Sequence, residues 1–81
     1  MECRIQITPG RDRCIVHLAG HLNAAQVPEL RRVCDTATGR VRIDLTDLLS
    51  ADAVGLDALR RLRCAGAELV GIARYLRRLL V

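Results

Sequence analysis

The sequence contains one aromatic ring, Tyr75, and no lysine, tryptophan or phenylalanine. With 51% hydrophobic residues and almost no rings, its core must be built from Leu, Val, Ile and Ala. All thirteen basic residues are arginines, and the formal charge is +4. These arginines are spread over every segment without aromatic residues at stacking spacing, so the charge fits an acidic protein partner and no nucleic acid. No apolar run approaches the roughly 18 residues a membrane-spanning helix needs, and the N-terminus lacks the basic-then-apolar pattern of a signal peptide. The expectation is a cytoplasmic protein that does not span a membrane.

No C-x-x-C pair is present among Cys3, Cys14, Cys34 and Cys64, and His17 and His21 have no cysteine pair at ligand spacing. No metal is expected, and the cysteines read as small buried hydrophobes in a reducing compartment. There is no Gly-x-x-x-x-Gly-Lys-[Ser/Thr] loop and no discernible set of nucleophile, base and orienting carboxylate. Asp44, Asp47 and Asp52 suit caps and turns better than a Mg²⁺ site. Neither an enzyme nor a bound cofactor is expected.

At 81 residues the chain reads as one domain, 1–81, able to bury only about 60 to 65% of its unfolded surface. Residues 2–8 alternate, with Cys3, Ile5 and Ile7 on the apolar face, and read as a strand. Pro9 to Asp12 supply a turn into a second strand, Cys14 to Ala19, which Gly20 to Asn23 close. Asn23 and Gln26 stand in capping-box positions, with regular helix starting near Val27 or Pro28. Val27, Leu30, Val33 or Cys34, and Ala37 form its apolar stripe, and Gly39 ends it. Val41, Ile43 and Leu45 mark a short third strand, followed by a polar loop and a helix with Leu56, Leu59 and Leu62 inward. Glu68 to Ile72 is a fourth strand. Arg74 to Val81 is a last helix with Leu76, Leu79 and Leu80 inward. The fold class is α/β, a mixed four-stranded sheet with helices in the order β-β-α-β-α-β-α, the last three strands parallel and the first antiparallel to the second.

The stretch from Val41 to Leu56 organises this pattern, and its residues carry a resemblance. Gly20-His21-Leu22-Asn23 is similar to Gly-x-Leu-Asp. Asp44-Leu45-Thr46 followed by Asp52-Ala53-Val54-Gly55-Leu56 is similar to Asp-Ser-Ser-Gly-Leu, and Cys64 to Val70 is similar to Ala-Gly-x-x-Leu-x-Leu. In this order and spacing they resemble the STAS family of anti-sigma factor antagonists over nearly the whole chain. The resemblance implies a protein-interaction module in bacterial transcription regulation, whose partner is an anti-sigma factor with a kinase-like ATP-binding fold. It also implies that the residue directly after the loop aspartate is a serine that the partner phosphorylates, turning binding off by charge and bulk. Here that residue is Ala53, next to Val54, so no phosphate can be carried there and the usual switch is absent.

Ser50, the only serine, is a weaker phosphoacceptor candidate whose expected role is a turn or cap, and Thr46 is expected to make local backbone bonds. Asp52 reads equally as an acidic contact and as the N-cap of the second long helix. Gly55 permits close approach of another backbone or close helix packing. The expected partner-binding set is Asn23, Leu49, Ser50, Asp52, Ala53, Val54 and Gly55, on the Leu48 to Gly55 loop and the turn beside it. Parallel strands deliver such loops to one end of a sheet. Two other roles stand beside this one: by resemblance, an adaptor that docks on the ATPase of a membrane lipid transporter, and, as a structural alternative, a scaffold that dimerises. The apolar end Leu79-Leu80-Val81 suggests self-association as a homodimer or a covering partner.

Overall fold

The computed structural model describes residues 3–36 and 40–80. Strand β1 spans Cys3–Pro9, β2 Arg13–Leu22, β3 Arg40–Ala51 and β4 Glu68–Val70; helix α1 spans Val27–Thr36, α2 Ala53–Cys64 and α3 Arg74–Leu80. The four strands lie in the order β1-β2-β3-β4. β1 runs antiparallel to β2, whereas β2, β3 and β4 are mutually parallel, as the order of elements in the sequence predicts.

All three helices pack on the same face. Leu30 and Val33 of α1, Leu59 of α2, and Leu76 and Leu80 of α3 join Cys14, Val16, Leu18, Leu22, Ile43, Leu45 and Leu48 in one apolar cluster. Residues one step away along the strands, among them Ile15, His17 and Asp44, point to the opposite face, because successive side chains of a strand alternate. That second face is left open to water among the described residues.

Several boundaries differ from the sequence reading. β2 continues past Ala19 to Leu22, with Gly20 at φ 95° inside the strand rather than closing it. β3 extends through the expected polar loop to Ala51, and α2 begins at Ala53, so the predicted Leu48 to Gly55 loop is strand end, a single junction residue and helix start. The cause is a pair of register shifts between β2 and β3, one between His17 and Ala19 and one between Gly20 and His21. They put Ile43, Leu45 and Leu48 on the core side, and a spacing of three between the last two hides a strand whose signal is a period of two. β4 stops at Val70, where Gly71 turns away at φ 69°.

Other differences concern burial. Ile7 and Leu79, read as inward, are 49% and 47% exposed: β1 is an edge strand, and Leu79 lies on the outer side of α3. Cys64 is exposed rather than buried, whereas Cys14 is buried and Cys3 and Cys34 are partly covered. Burial pushes the thiols of Cys3 and Cys34 upward, away from thiolate. Arg60 and Arg63 are exposed, as read, and in addition donate to the carbonyls of Leu79 and Leu80, supplying donors where the end of α3 leaves carbonyls unpaired. Asp57 and Arg61 form the expected i,i+4 pair at 2.8 Å. Glu2, Ala37, Gly39 and Val81 lie outside the described residues.

Candidate functional site

β2 and β3 end side by side, Leu22 opposite Ala51, so the turn after β2 and the junction after β3 emerge at the same end of the sheet. Asn23 opens that turn. Its side-chain oxygen accepts from the Ala25 amide at 2.9 Å, and its own amide donates to the Gln26 side chain at 3.3 Å. This is a capping-box exchange displaced onto the turn preceding α1, which gives the capping residues partners while Pro28 occupies the first helical turn.

Asp52 is the junction. Its amide donates to the Leu22 carbonyl at 3.0 Å, and its carbonyl receives the first helical bond from Leu56 at 2.9 Å. One carboxylate oxygen accepts from the Gly55 amide at 2.7 Å, the N-cap bond of α2, and the other accepts from the Ala24 amide at 3.0 Å. A single side chain thereby caps α2 and holds the neighbouring turn. The expected cap uses one oxygen, and the second is engaged by the turn after β2.

Gly55 is buried, and a Cβ there would lie 2.9 Å from the Leu22 carbonyl oxygen and 3.1 Å from the Leu22 side chain. The missing side chain therefore lets α2 sit down on β2. Around this base, Leu49 is 63% and Val54 50% exposed, and Ala53 is also exposed. Leu49 is the extra residue of the second register shift, since Leu48 pairs with Gly20 and Ser50 with His21. The bulge turns a leucine outward that regular alternation would not have placed there. Of the seven predicted residues, Leu49, Asp52, Ala53 and Val54 are exposed, Gly55 is buried beneath them, Asn23 fixes the adjoining turn, and Ser50 lies on the open face of the sheet.

Ser50 is half-buried on the open face of the sheet, its hydroxyl 2.5 Å from Nδ1 of His21. Thr46 bonds a side chain rather than backbone: its hydroxyl donates to the Asp44 carboxylate at 2.6 Å, and its amide donates to the same oxygen at 2.9 Å. These two bonds, with His17 nearby, hold the Asp44 carboxyl below the usual carboxylate range. Gly71 closes over this motif, where a Cβ would lie 2.9 Å from the Thr46 amide and 3.1 Å from the Asp44 carboxylate.

Two features escaped the sequence reading. His17 contacts the Asp47 carboxylate at 2.8 Å, making with His21–Ser50 a row of polar pairs across the open face. Alternation places His17 and His21 on one face, but the shifted register concealed their partners on β3. The second feature is a groove of about 270 Å³ between α1 and α2, floored by Val27, Val54, Ala58 and Leu62 and rimmed by Arg31, Asp35, Asp57 and Arg61. It opens beside the exposed Val54.

No family model matches the sequence. No curated protein matches it either. Solved structures do. The anti-sigma factor antagonist SpoIIAA in its unphosphorylated form superposes with a TM-score of 0.73 at 21% identity, covering 94% of this chain and 80% of that one. An antisigma-factor antagonist STAS domain from Rhodobacter sphaeroides gives 0.63 at 25% identity, covering 85% and 86%. A structure of Mglu gives 0.69 at 24% identity over 85% of this chain, which spans only 20% of Mglu's length. The fold is that of the STAS-type anti-sigma factor antagonists.

Proposed function

We propose that this STAS-type chain is a non-enzymatic, cytoplasmic protein-interaction module in transcription regulation, which binds an anti-sigma factor of kinase-like ATP-binding fold without a serine phospho-switch. The observation that carries the reading is the exposure of Leu49 before, and of Ala53 and Val54 after, the junction that Asp52 locks. Exposed aliphatic side chains on a fixed backbone suit a protein partner, because their burial is favourable and they lose little freedom on binding. The neighbouring groove adds an apolar floor with charges of both signs on its rim, a surface for the side of a helix. Ala53, which directly follows Asp52, offers no hydroxyl, so a kinase partner would bind this surface and leave its covalent state unchanged.

The test is calorimetric titration with a purified anti-sigma factor of that fold from the same genome. Leu49→Asp and Val54→Asp should each weaken binding by at least tenfold while leaving the circular dichroism unchanged. Asp52→Arg is a poor control, since it removes the cap along with any contact. Incubation with the partner and ATP should leave the intact mass unaltered; phosphate within Leu48 to Gly55 would overturn the switchless reading. Equal affinity of the wild type and both aspartate variants would place the docking surface elsewhere.

A further inference from the structure

The outer edge of β1 is unpaired among the described residues, and it differs from the other sheet edge in being long enough to add a strand. β4 offers three residues and then turns at Gly71, whereas β1 offers seven. Proteins blunt such edges with charge and proline. Here Arg4 and Pro9 stand near the two ends, and Ile5 to Thr8 between them are unguarded.

We infer that β1 pairs antiparallel with β1 of a second copy of this chain, about a two-fold axis through Gln6. The inference is independent of the proposed anti-sigma partner. Pro9 has no N–H to give to β2, so its side of the strand must face outward. Its same-parity neighbours Cys3, Ile5 and Ile7 then carry the outward backbone groups. A two-fold axis at Gln6 pairs all seven residues and sets Ile5 opposite Ile7 of the second copy, twice, with each pair exchanging both of its hydrogen bonds. Ile7, 49% exposed in the single chain, gains an aliphatic neighbour on the core side of the sheet. On the open side Arg4 meets Thr8. The two arginines stand four residues apart along the strands, about 13 Å by strand rise, where salt screens most of their repulsion. A self-complementary patch of this kind is what a two-fold dimer requires. A contact of one strand per copy is small, so the dimer should be concentration-dependent.

Sedimentation velocity tests this, with wild type expected as a dimer at about 100 μM and dissociating on dilution toward about 1 μM. Ile7→Lys, a change at a half-exposed position, should be monomeric throughout with unchanged circular dichroism. In a Cys64→Ser background, Gln6→Cys should form a disulfide between copies on mild oxidation. A non-hydrogen-bonded pair at the axis brings the two Cα atoms to about 4.5 Å, within disulfide reach. Arg4→Cys in that background should not cross-link. Amide exchange at Ile5 and Ile7 should slow at high concentration. A wild type that stays monomeric at about 100 μM, a dimer that survives Ile7→Lys, or cross-linking through Arg4→Cys in preference to Gln6→Cys would each overturn the proposal.

Discussion

On the helix-covered face of the sheet, Val16, Leu18, Ile43, Leu45 and Leu48 are buried, while one residue away on the same strands His17, Asp44 and Asp47 remain in reach of water. The covered face holds its register by burial, since a slip of one residue would turn apolar side chains to solvent and polar ones into the core. The open face has no such penalty and is joined by local pairs: His17 with Asp47, His21 with Ser50, Arg42 with Glu68. Both register shifts fall between the same two strands, and each leaves the buried row intact. Stability and adaptability are therefore carried by opposite sides of one sheet, and the exposed Leu49 is a product of the second shift.

The largest loss should come from the covered side. Leu18→Ala should cost about 2–5 kcal/mol, read as a lower urea midpoint with an unchanged slope. Gly55→Ala should cost about 1–3 kcal/mol, because the added methyl overlaps the Leu22 carbonyl and the helix must shift to admit it. Asp52→Ala should cost about 1–2 kcal/mol through the lost cap and should also speed amide exchange at Ala24, which a cap serving α2 alone would not do. On the open face, Asp47→Asn should change stability by less than about 1 kcal/mol, since the Asp47 side chain is 64% exposed and water screens its pairing with His17. A loss there as large as that of Leu18→Ala would mean that the open face carries stability as well.

The smallest effect concerns acid. Asp44 is held below its ordinary range in the folded chain, so its contribution is present above the unfolded carboxylate value of about 3.9 and is lost as pH falls through the folded value. Asp44→Asn should therefore lower stability slightly at neutral pH, flatten the profile below about pH 4, and match the wild type once the pH lies below the folded value.

Alternation and helical spacing made the element order, strand directions and most of the core readable, because burial writes one-sided patterns into strands and helices alike. The length of β3 was not readable. Its apolar residues fall at Ile43, Leu45 and Leu48, and a bulge removes the period that announces a strand. The exposure of Ile7 and Leu79 was hidden for another reason: an apolar residue keeps its place in a pattern whether or not a neighbour arrives to cover it. At the candidate site, the cap by Asp52 followed from residue type and position. Its second bond, to Ala24, joins segments 28 residues apart and has no local signature.

That second bond has a consequence for the timing of recognition. Because one carboxylate fastens both the turn after β2 and the start of α2, the two cannot sample orientations separately while the fold persists. The conformational freedom that a looser pair of loops would surrender on meeting a partner has already been given up during folding. A partner docking at this end of the sheet, as proposed, should then meet it as a rigid encounter in a single kinetic phase, with differences between partners appearing in how slowly they leave.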